Sequence, residues 1–142
     1  MKRTILILTM LLLSLGANER FNLTVDVQGL KNQKGVVLVN LYNKEGTIPD
    51  KNFTKYFKKE IVPITGSSVK VTFKNLPKGR YAVGVLHDEN GDGKVEKGFM
   101  LPKEGVGFSN FSSISPFNKP NFKKASFMLD KDKSIKVKMI YF

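Results

Sequence analysis

The chain has 142 residues, with 24 Lys and Arg against 12 Asp and Glu, one His and neither Cys nor Trp. A chain of this length predicts one domain, long enough to bury a hydrophobic core and too short for two domains. Because there is no cysteine, disulfide frameworks, thiolate metal sites and cysteine nucleophiles are excluded. The single histidine excludes three-histidine metal centres and leaves one candidate imidazole base.

The N-terminal segment has the features of a secretory signal. Lys2 and Arg3 precede an apolar run from Ile5 to Leu15, and two small residues follow it. This run is too short to span a bilayer, and its basic start and small-residue end are typical of a signal peptide. We therefore expect residues 1–17 to be a signal peptide and residues 18–142 to be one exported domain without a transmembrane segment, in the periplasm or outside the cell. A buried N-terminal strand and an uncleaved anchor are the alternatives.

The sequence after this segment is typical of β-strands. Residues Phe21–Gln28 alternate between apolar and polar side chains, which predicts a half-buried strand. Further apolar or alternating segments follow, separated by turn-forming residues. Several short strands separated by turns favour an all-β fold, an antiparallel β-sandwich of about seven strands, over a parallel sheet. The further predicted strands are Val36–Tyr42, Val69–Phe73, Tyr81–His87, Ala125–Leu129 and Ile135–Tyr141.

Three connections between these strands carry specific predictions. The last two predicted strands flank residues 130–133, and we expect them to form a C-terminal hairpin. Residues Asn75–Gly79 contain Pro and Gly and are expected to form a turn that ends the strand before them. Three aromatic residues at helical spacing indicate a short helix or helical turn near residues 51–59.

A long connection over residues 98–122 is rich in Gly, Ser, Asn and Pro and contains five of the 11 phenylalanines. Structureless loops longer than about 12–15 residues are usually functional or disordered, and five aromatic residues argue against disorder. We expect this segment to fold over the open end of the sandwich and to complete its core. A surface for a ligand or partner is the alternative.

An acidic loop follows the strand that ends at His87. Four of the twelve acidic residues lie between positions 88 and 96 of an otherwise basic chain. Asp88, Asn90, Asp92 and Gly93 match the first half of a calcium-binding loop, D-x-[DN]-x-[DN]-G. In such a loop the side-chain oxygens at positions 1, 3 and 5 converge on one point, and the glycine at position 6 permits the sharp turn.

The second half of this loop departs from the calcium-binding pattern of an EF-hand. The backbone carbonyl of Lys94 at position 7 and the carboxylate of Glu96 at position 9 are further candidate ligands. Position 12 is Phe99, so the bidentate glutamate of an EF-hand is missing, and a strand precedes the loop. We therefore predict a weak calcium site, with a dissociation constant of about 10⁻⁴–10⁻³ M, unless Glu104 or a carbonyl completes the coordination shell. The predicted metal ligands are Asp88, Asn90, Asp92, Lys94 and Glu96.

A turn without an ion is the alternative interpretation of the same residues. Asn-Gly and Asp-Gly pairs are common in turns because they tolerate positive φ angles. On this interpretation the carboxylates of Asp88, Asp92 and Glu96 are solvated, and their mutual repulsion is partly offset by Lys94 and Lys97.

Three sequence motifs lie in a fixed order in the second half of the chain. They are Leu76-Pro77-x-Gly79-x-Tyr81-Ala82-Val83, His87-Asp88-Glu89-Asn90-Gly91-x-Gly93-Lys94 and Pro102-Lys103-Glu104-Gly105-x-Gly107-Phe108-Ser109-Asn110. With these motifs the chain resembles the domain-of-unknown-function family 2141, small exported bacterial proteins, from about Leu23 to Tyr141. The resemblance implies a signal peptide and an immunoglobulin-like or transthyretin-like β-sandwich, and it implies no activity.

The sequence favours a non-catalytic protein over an enzyme. Asp88 and Glu96 lie in a polar, glycine-rich loop that solvates carboxylates, whereas a general acid needs a carboxyl group in a dry pocket. His87 ends a predicted strand on its core-facing side, which indicates a hydrogen-bonded structural histidine. The alternative is a periplasmic enzyme that uses His87 together with the acidic loop.

The basic excess consists of 21 Lys and only 3 Arg, spread through the chain. Nucleic-acid-binding proteins favour arginine interleaved with stacking aromatic residues, so we expect no nucleic-acid partner. Lysine side chains on exposed edge strands prevent the sheets of different molecules from pairing, so this excess does not require a binding partner. An anionic component of the cell envelope or an unknown ligand is the candidate partner, and an envelope-interaction or adhesion module with a lysine-rich surface is a second functional hypothesis.

Overall fold

The computed structural model describes residues 18–92 and 104–142. These ranges contain eight strands and one short helix, so the predicted all-β character is confirmed, with eight strands where about seven were predicted. In chain order the elements are β1 (Arg20–Gln28), β2 (Val36–Tyr42), β3 (Lys58–Pro63), β4 (Ser68–Pro77), β5 (Gly79–Asp88), β6 (Val106–Phe108), α1 (Phe122–Ala125), β7 (Phe127–Leu129) and β8 (Lys133–Lys138).

The strands form two sheets. The first sheet has the order β4-β1-β8, and the second has the order β3-β2-β5-β6, with β7 pairing with the beginning of β5. The pairings are antiparallel except that of β1 with β8, which is parallel and sets Val25 beside Ile135. The sheets are therefore mainly antiparallel, as predicted, and the pairing of β1 with β8 is the exception.

The core lies where the inner faces of both sheets meet. Val25 and Val27 of β1 belong to the same buried cluster as Val83 and Val85 of β5. These positions alternate with outward-facing residues, as expected when side chains point to opposite faces of a strand in turn. Tyr81 lies in the same buried cluster as Val83 and Val85, so these three residues of β5 share its inner face.

The outer face of the second sheet is also covered. Ala82 of β5 is buried there in a cluster with Ile48, Phe111 and Phe122, which come from the two long connections of the chain. The phenylalanine-rich connection therefore completes a hydrophobic cluster, as expected, but on an outer sheet face and not at the open end between the sheets. Its Phe99 lies outside the described residues.

The predicted C-terminal hairpin is wrong. β7 pairs with β5 in the second sheet, whereas β8 pairs with β1 in the first, so the two segments lie in different sheets. Residues 130–132 between them join one sheet to the other, and the Asp132 carboxylate accepts a hydrogen bond from the Asn22 backbone N–H at 2.8 Å. The sequence of this short polar link is compatible with a hairpin, but in the structure the link crosses from the second sheet to the first.

The predicted helix near residues 51–59 is also wrong. The backbone N–H groups of Thr54 and Lys55 donate to the Asp50 carboxylate at 3.1 and 2.8 Å, so they are not available to helical carbonyls. Phe53 has a φ of 51°, which lies outside the right-handed helical region. The strand β3, which the sequence did not predict, begins at Lys58.

The predicted turn over residues 75–79 is shorter in the structure. β4 continues to Pro77 and β5 begins at Gly79, so Lys78 alone separates them. Leu76 is fully buried in the core, and Asn75 with a φ of 60° accompanies a register shift between β4 and β1. The proline and glycine therefore mark strand ends and do not mark a longer loop.

No helix in residues 18–92 or 104–142 is long and apolar enough to cross a membrane. The predicted signal peptide, residues 1–17, lies outside the described residues.

Candidate cation site

Asp88 is the last residue of β5, and its side chain is only 1% exposed. β5 pairs with β2 up to this position, where Val36 lies opposite Asp88. Gly35, just before β2, has a φ of 67°, and a Cβ atom added there would overlap the Asp88 carbonyl oxygen. The end of β5 is thus held by close backbone contact with the turn that precedes β2.

The residues after Asp88 fold into a tight turn around its carboxylate. One Asp88 carboxylate oxygen accepts hydrogen bonds from the backbone N–H groups of Gly91 at 2.9 Å and Asp92 at 3.2 Å. The Asn90 amide oxygen accepts from the Asp92 N–H at 3.2 Å, and Gly91 has a φ of 74°. These bonds fold the loop back on itself and bring Asp92 next to Asp88.

Glu104 joins these residues from a distant part of the sequence. Its carboxylate accepts a hydrogen bond from the Glu89 N–H at 2.7 Å, and its side chain is 3% exposed. The next two residues are fixed by backbone hydrogen bonds. The His87 N–H donates to the Gly105 carbonyl at 2.9 Å, and the Val106 N–H donates to the Ile140 carbonyl at 3.0 Å. The strand pairing beside β5 therefore determines where Glu104 lies.

Carboxylate oxygens of Asp88, Asp92 and Glu104 all lie within 4.8 Å of one another. Three like charges at such distances repel each other, by about 3 kcal/mol for one ionised pair at an effective dielectric constant near 20. Carboxylate oxygens are the ligands that a hard cation such as Ca²⁺ prefers. The three carboxylates therefore supply oxygen ligands of the kind that a divalent cation takes.

The predicted ligands have different positions in this cluster. Asp88 and Asp92 are brought together, and Asn90 lies in the turn between them. Lys94 and Glu96 lie outside the described residues, so their roles stay predictions. The sequence indicates Glu104 only as one way to complete the shell. No sequence spacing indicates its proximity to Asp88, because that proximity depends on the pairing of β5 with β6.

The turn before β2 brings the Asn32 amide and the basic residues Lys31 and Lys34 near Glu89. The Asn32 side-chain amide donates a hydrogen bond of 2.6 Å to the Glu89 carboxylate. This hydrogen bond lowers the pKa of Glu89 below its ordinary value, and the charges of Lys31 and Lys34 contribute in the same direction. Glu89 is therefore directed towards the turn before β2 and is not a member of the carboxylate cluster.

His87 is fully buried beside the loop, and both of its ring nitrogens are hydrogen-bonded. Nε2 lies 2.8 Å from the Lys34 carbonyl oxygen, and Nδ1 lies 2.8 Å from the Tyr141 hydroxyl oxygen. Because a carbonyl can only accept, Nε2 carries a proton and donates, and in the neutral ring Nδ1 therefore accepts from the Tyr141 O–H. This is the hydrogen bonding predicted for a structural histidine.

Comparisons with known proteins point to one family of bacterial proteins. Neither the search of curated proteins nor the search of solved structures found a match. The model of one family, described as "Uncharacterized protein conserved in bacteria (DUF2141)", matches residues 25–138. These residues include β2, β5, the acidic loop and Glu104. The chain therefore belongs to the DUF2141 family of bacterial proteins, which confirms the resemblance inferred from its motifs.

Proposed function

We propose that this chain is a non-catalytic exported protein whose acidic loop binds calcium weakly. Its two sheets would form a β-sandwich of the immunoglobulin-like or transthyretin-like type, and the cation would act as a structural staple or as part of a binding face. The observation that carries the proposal is the convergence of the Asp88, Asp92 and Glu104 carboxylates within 4.8 Å.

The burial of two of these carboxylates supports a structural role for the ion. Asp88 ends β5, whereas Glu104 lies two residues before β6, so an ion bound to both would join the end of one strand to the start of the next. Both side chains are almost completely buried, where repulsion between charges is screened less than in water. Calcium would relieve this repulsion and hold the two segments together.

The chemistry of the ligands favours calcium over a transition metal. Carboxylate and carbonyl oxygens suit hard cations, and the only imidazole of the chain has both nitrogens engaged by protein groups. Calcium accepts six to eight oxygen ligands in irregular geometry, whereas magnesium requires near-octahedral geometry. Because the bidentate glutamate of an EF-hand is missing, we expect weak binding, with a dissociation constant of about 10⁻⁴–10⁻³ M.

The surroundings of His87 support a non-catalytic role. Its side chain is fully buried, and its two ring nitrogens bond to Lys34 and Tyr141, so neither nitrogen faces solvent where a substrate could reach it. A catalytic base needs a nitrogen within hydrogen-bond reach of the proton that it removes. If the protein were an enzyme that used His87, at least one of these two hydrogen bonds would have to break.

Thermal melts with calcium and with a chelator test the proposal. We expect calcium to raise the Tm of the wild-type protein, because an ion that binds the folded state alone stabilises it. Asp88→Asn and Glu104→Gln each keep an oxygen that can accept the observed N–H bonds while removing one negative charge. Both variants should lose the calcium-dependent shift.

Asp130→Asn is the matched control, because Asp130 is an exposed acid outside the cluster. It should keep the full calcium-dependent shift. A wild-type Tm that is the same in calcium and in chelator would refute the proposal, as would an equal shift in wild type and Glu104→Gln.

A further inference from the structure

Phe117 is 97% exposed, which makes it the most exposed of the large hydrophobic side chains that the structure describes. It lies in a tight turn and not in a loose loop. The Asn118 N–H donates to the Ser115 carbonyl at 3.0 Å, and the Phe117 N–H donates to the Ser115 hydroxyl at 3.2 Å. The Asn118 amide adds a bond of 2.9 Å to the Ser113 carbonyl. The phenyl ring is therefore presented to solvent by an ordered backbone.

The turn is also anchored to the body of the protein on both sides. Phe111 before it and Phe122 after it are buried in the cluster on the outer face of the second sheet, and Ile114 packs against that cluster. Nearby phenylalanines are thus buried, while Phe117 projects into water. Single exposed apolar residues are common on protein surfaces, so exposure of Phe117 needs a second observation before it indicates a function.

The second observation is the charge of the chain segment that contains the turn. Residues 105–129 contain no Asp or Glu, whereas Lys119, Lys123 and Lys124 are exposed within seven positions of Phe117. In α1, Phe122 and Ala125 point inwards, so Lys123 and Lys124 project into solvent. The ion pair that joins Lys78 to Glu19 does not involve these three lysines, and no acid in residues 18–92 or 104–142 forms an ion pair with them. We call Phe117 with these three lysines the Phe117 tip.

We propose that the Phe117 tip docks on an anionic lipid bilayer, with the phenyl ring among the headgroups and the three lysines against lipid phosphates. Apolar burial of the ring and attraction of the lysines act together, and stable membrane association generally needs two such signals. Charge complementarity favours this partner, since each basic residue near an anionic membrane surface strengthens binding. The proposal does not depend on the cation site.

Other occupants fit the Phe117 tip less well. A soluble anionic polymer would contact the lysines but would leave the phenyl ring in water, where it gains no burial energy. A protein partner would need a larger apolar area than one side chain offers, since specific protein interfaces bury about 800 Å² on each side. A bilayer accepts a single apolar side chain at its surface without a preformed groove.

A tryptophan substitution at the tip tests the docking directly. The natural chain contains no tryptophan, so Phe117→Trp introduces a unique fluorophore at the tip. With vesicles that contain phosphatidylglycerol, we expect its emission to shift to shorter wavelength and to be protected from an aqueous quencher. Phosphatidylcholine vesicles should produce neither effect. Phe142→Trp places the same fluorophore at another exposed aromatic position and should show no shift with either vesicle.

Vesicle sedimentation measures the contribution of each group. Phe117→Ser should weaken binding to anionic vesicles about tenfold, because burial of the ring is lost. The triple variant Lys119→Gln/Lys123→Gln/Lys124→Gln should weaken it about fivefold for each lysine removed. A control triple variant, Lys74→Gln/Lys131→Gln/Lys138→Gln, removes the same charge from exposed positions elsewhere. Lys74 and Lys138 lie in the first sheet, and Lys131 lies in the link that precedes β8. This control variant should weaken binding by about twofold at most at physiological salt.

The experiment is repeated with calcium and with a chelator. Binding in both conditions is expected, so loss of the calcium site alone leaves the lipid proposal standing. Unchanged fluorescence emission of the Phe117→Trp variant with anionic vesicles would refute the proposal. Equal losses in the two triple variants, or binding to soluble polyphosphate without binding to vesicles, would refute it as well.

Discussion

The Nδ1 atom of His87 lies 2.8 Å from the hydroxyl oxygen of Tyr141, a residue 54 positions later in the chain. The two rings meet edge to face, with centroids 6.0 Å apart and an interplanar angle of 85°. The Tyr141 oxygen also accepts from the Lys31 N–H at 3.0 Å, and His87 donates to the Lys34 carbonyl. These contacts join the end of β5, the turn before β2 and the C-terminal segment at His87, the residue that precedes the acidic loop.

Removal of the Tyr141 hydroxyl should destabilise this junction. In Tyr141→Phe the ring packing is kept, but the acceptor Nδ1 of the buried His87 and the Lys31 N–H lose their common partner. We expect the free energy of unfolding to fall by about 1–3 kcal/mol, the penalty for leaving buried polar groups unsatisfied. Urea denaturation measures the change. An unchanged unfolding free energy would show that water replaces the hydroxyl at this position.

Gly35→Ala should distort the acidic loop. A Cβ atom at Gly35 would overlap the Asp88 carbonyl oxygen and crowd the Glu89 Cα atom, so the backbone must move. Gly46→Ala is the matched control, because Gly46 also has a positive φ, 77°, but an added Cβ there meets no atom within 4 Å. Gly46→Ala should cost about 1–2 kcal/mol from backbone conformation alone. Gly35→Ala should cost at least twice that and should abolish the calcium-dependent shift in Tm; equal costs would contradict the structure.

Tyr42→Phe should weaken a buried polar network under the outer loops. The Tyr42 hydroxyl donates to the Asp50 carboxylate at 3.0 Å and accepts from the Asn40 amide at 3.2 Å. Burial raises the pKa of Tyr42 well above its ordinary value, which is consistent with a neutral phenol that donates to Asp50. We expect a loss of about 1–3 kcal/mol in unfolding free energy, measured by chemical denaturation. Tyr56→Phe, at an exposed ring, should change it by less than about 0.5 kcal/mol.

Acid should remove the contribution of the Asn32–Glu89 hydrogen bond. This bond lowers the pKa of Glu89 from 4.5, so the folded state favours the ionised carboxylate. Stability from this source is present above pH 4.5 and is lost as the pH falls through the lower pKa of the folded state. The difference in unfolding free energy between wild type and Asn32→Ala should therefore shrink as the pH is lowered from about 6 to about 3. A difference that stays constant with pH would exclude this linkage.

Local sequence patterns predicted the parts of the fold that depend on neighbouring residues. Alternation marked β1, and apolar runs located β2 and β5, because a strand with one buried face repeats every second residue. The inward position of His87 followed from the same periodicity. Pairing between distant segments carries no such signal. The parallel pairing of β1 with β8 could not be deduced from residues 130–132, since a short polar link is compatible with either a hairpin or a crossover.

The candidate site likewise has one part that local sequence predicts and one part that depends on distant strand pairing. The spacing of Asp88, Asn90 and Asp92 indicated a turn in which oxygens converge, because that geometry is local. Glu104 was named only as one way to complete the shell. Its burial against the Glu89 N–H depends on β6 lying beside β5, and a three-residue strand within a long polar connection has no distinctive pattern. The position of the third carboxylate, that of Glu104, therefore depends on pairing between strands that are distant in sequence.

Calcium titration followed by NMR tests the central claim most directly. We predict saturable shifts of the Glu89, Gly91 and Asp92 backbone amides, with one dissociation constant of about 10⁻⁴–10⁻³ M. Asp130→Asn should give the same titration, and Glu104→Gln should bind at least about tenfold more weakly. The absence of saturable shifts up to about 10⁻² M calcium, or identical binding by wild type and Glu104→Gln, would contradict the account.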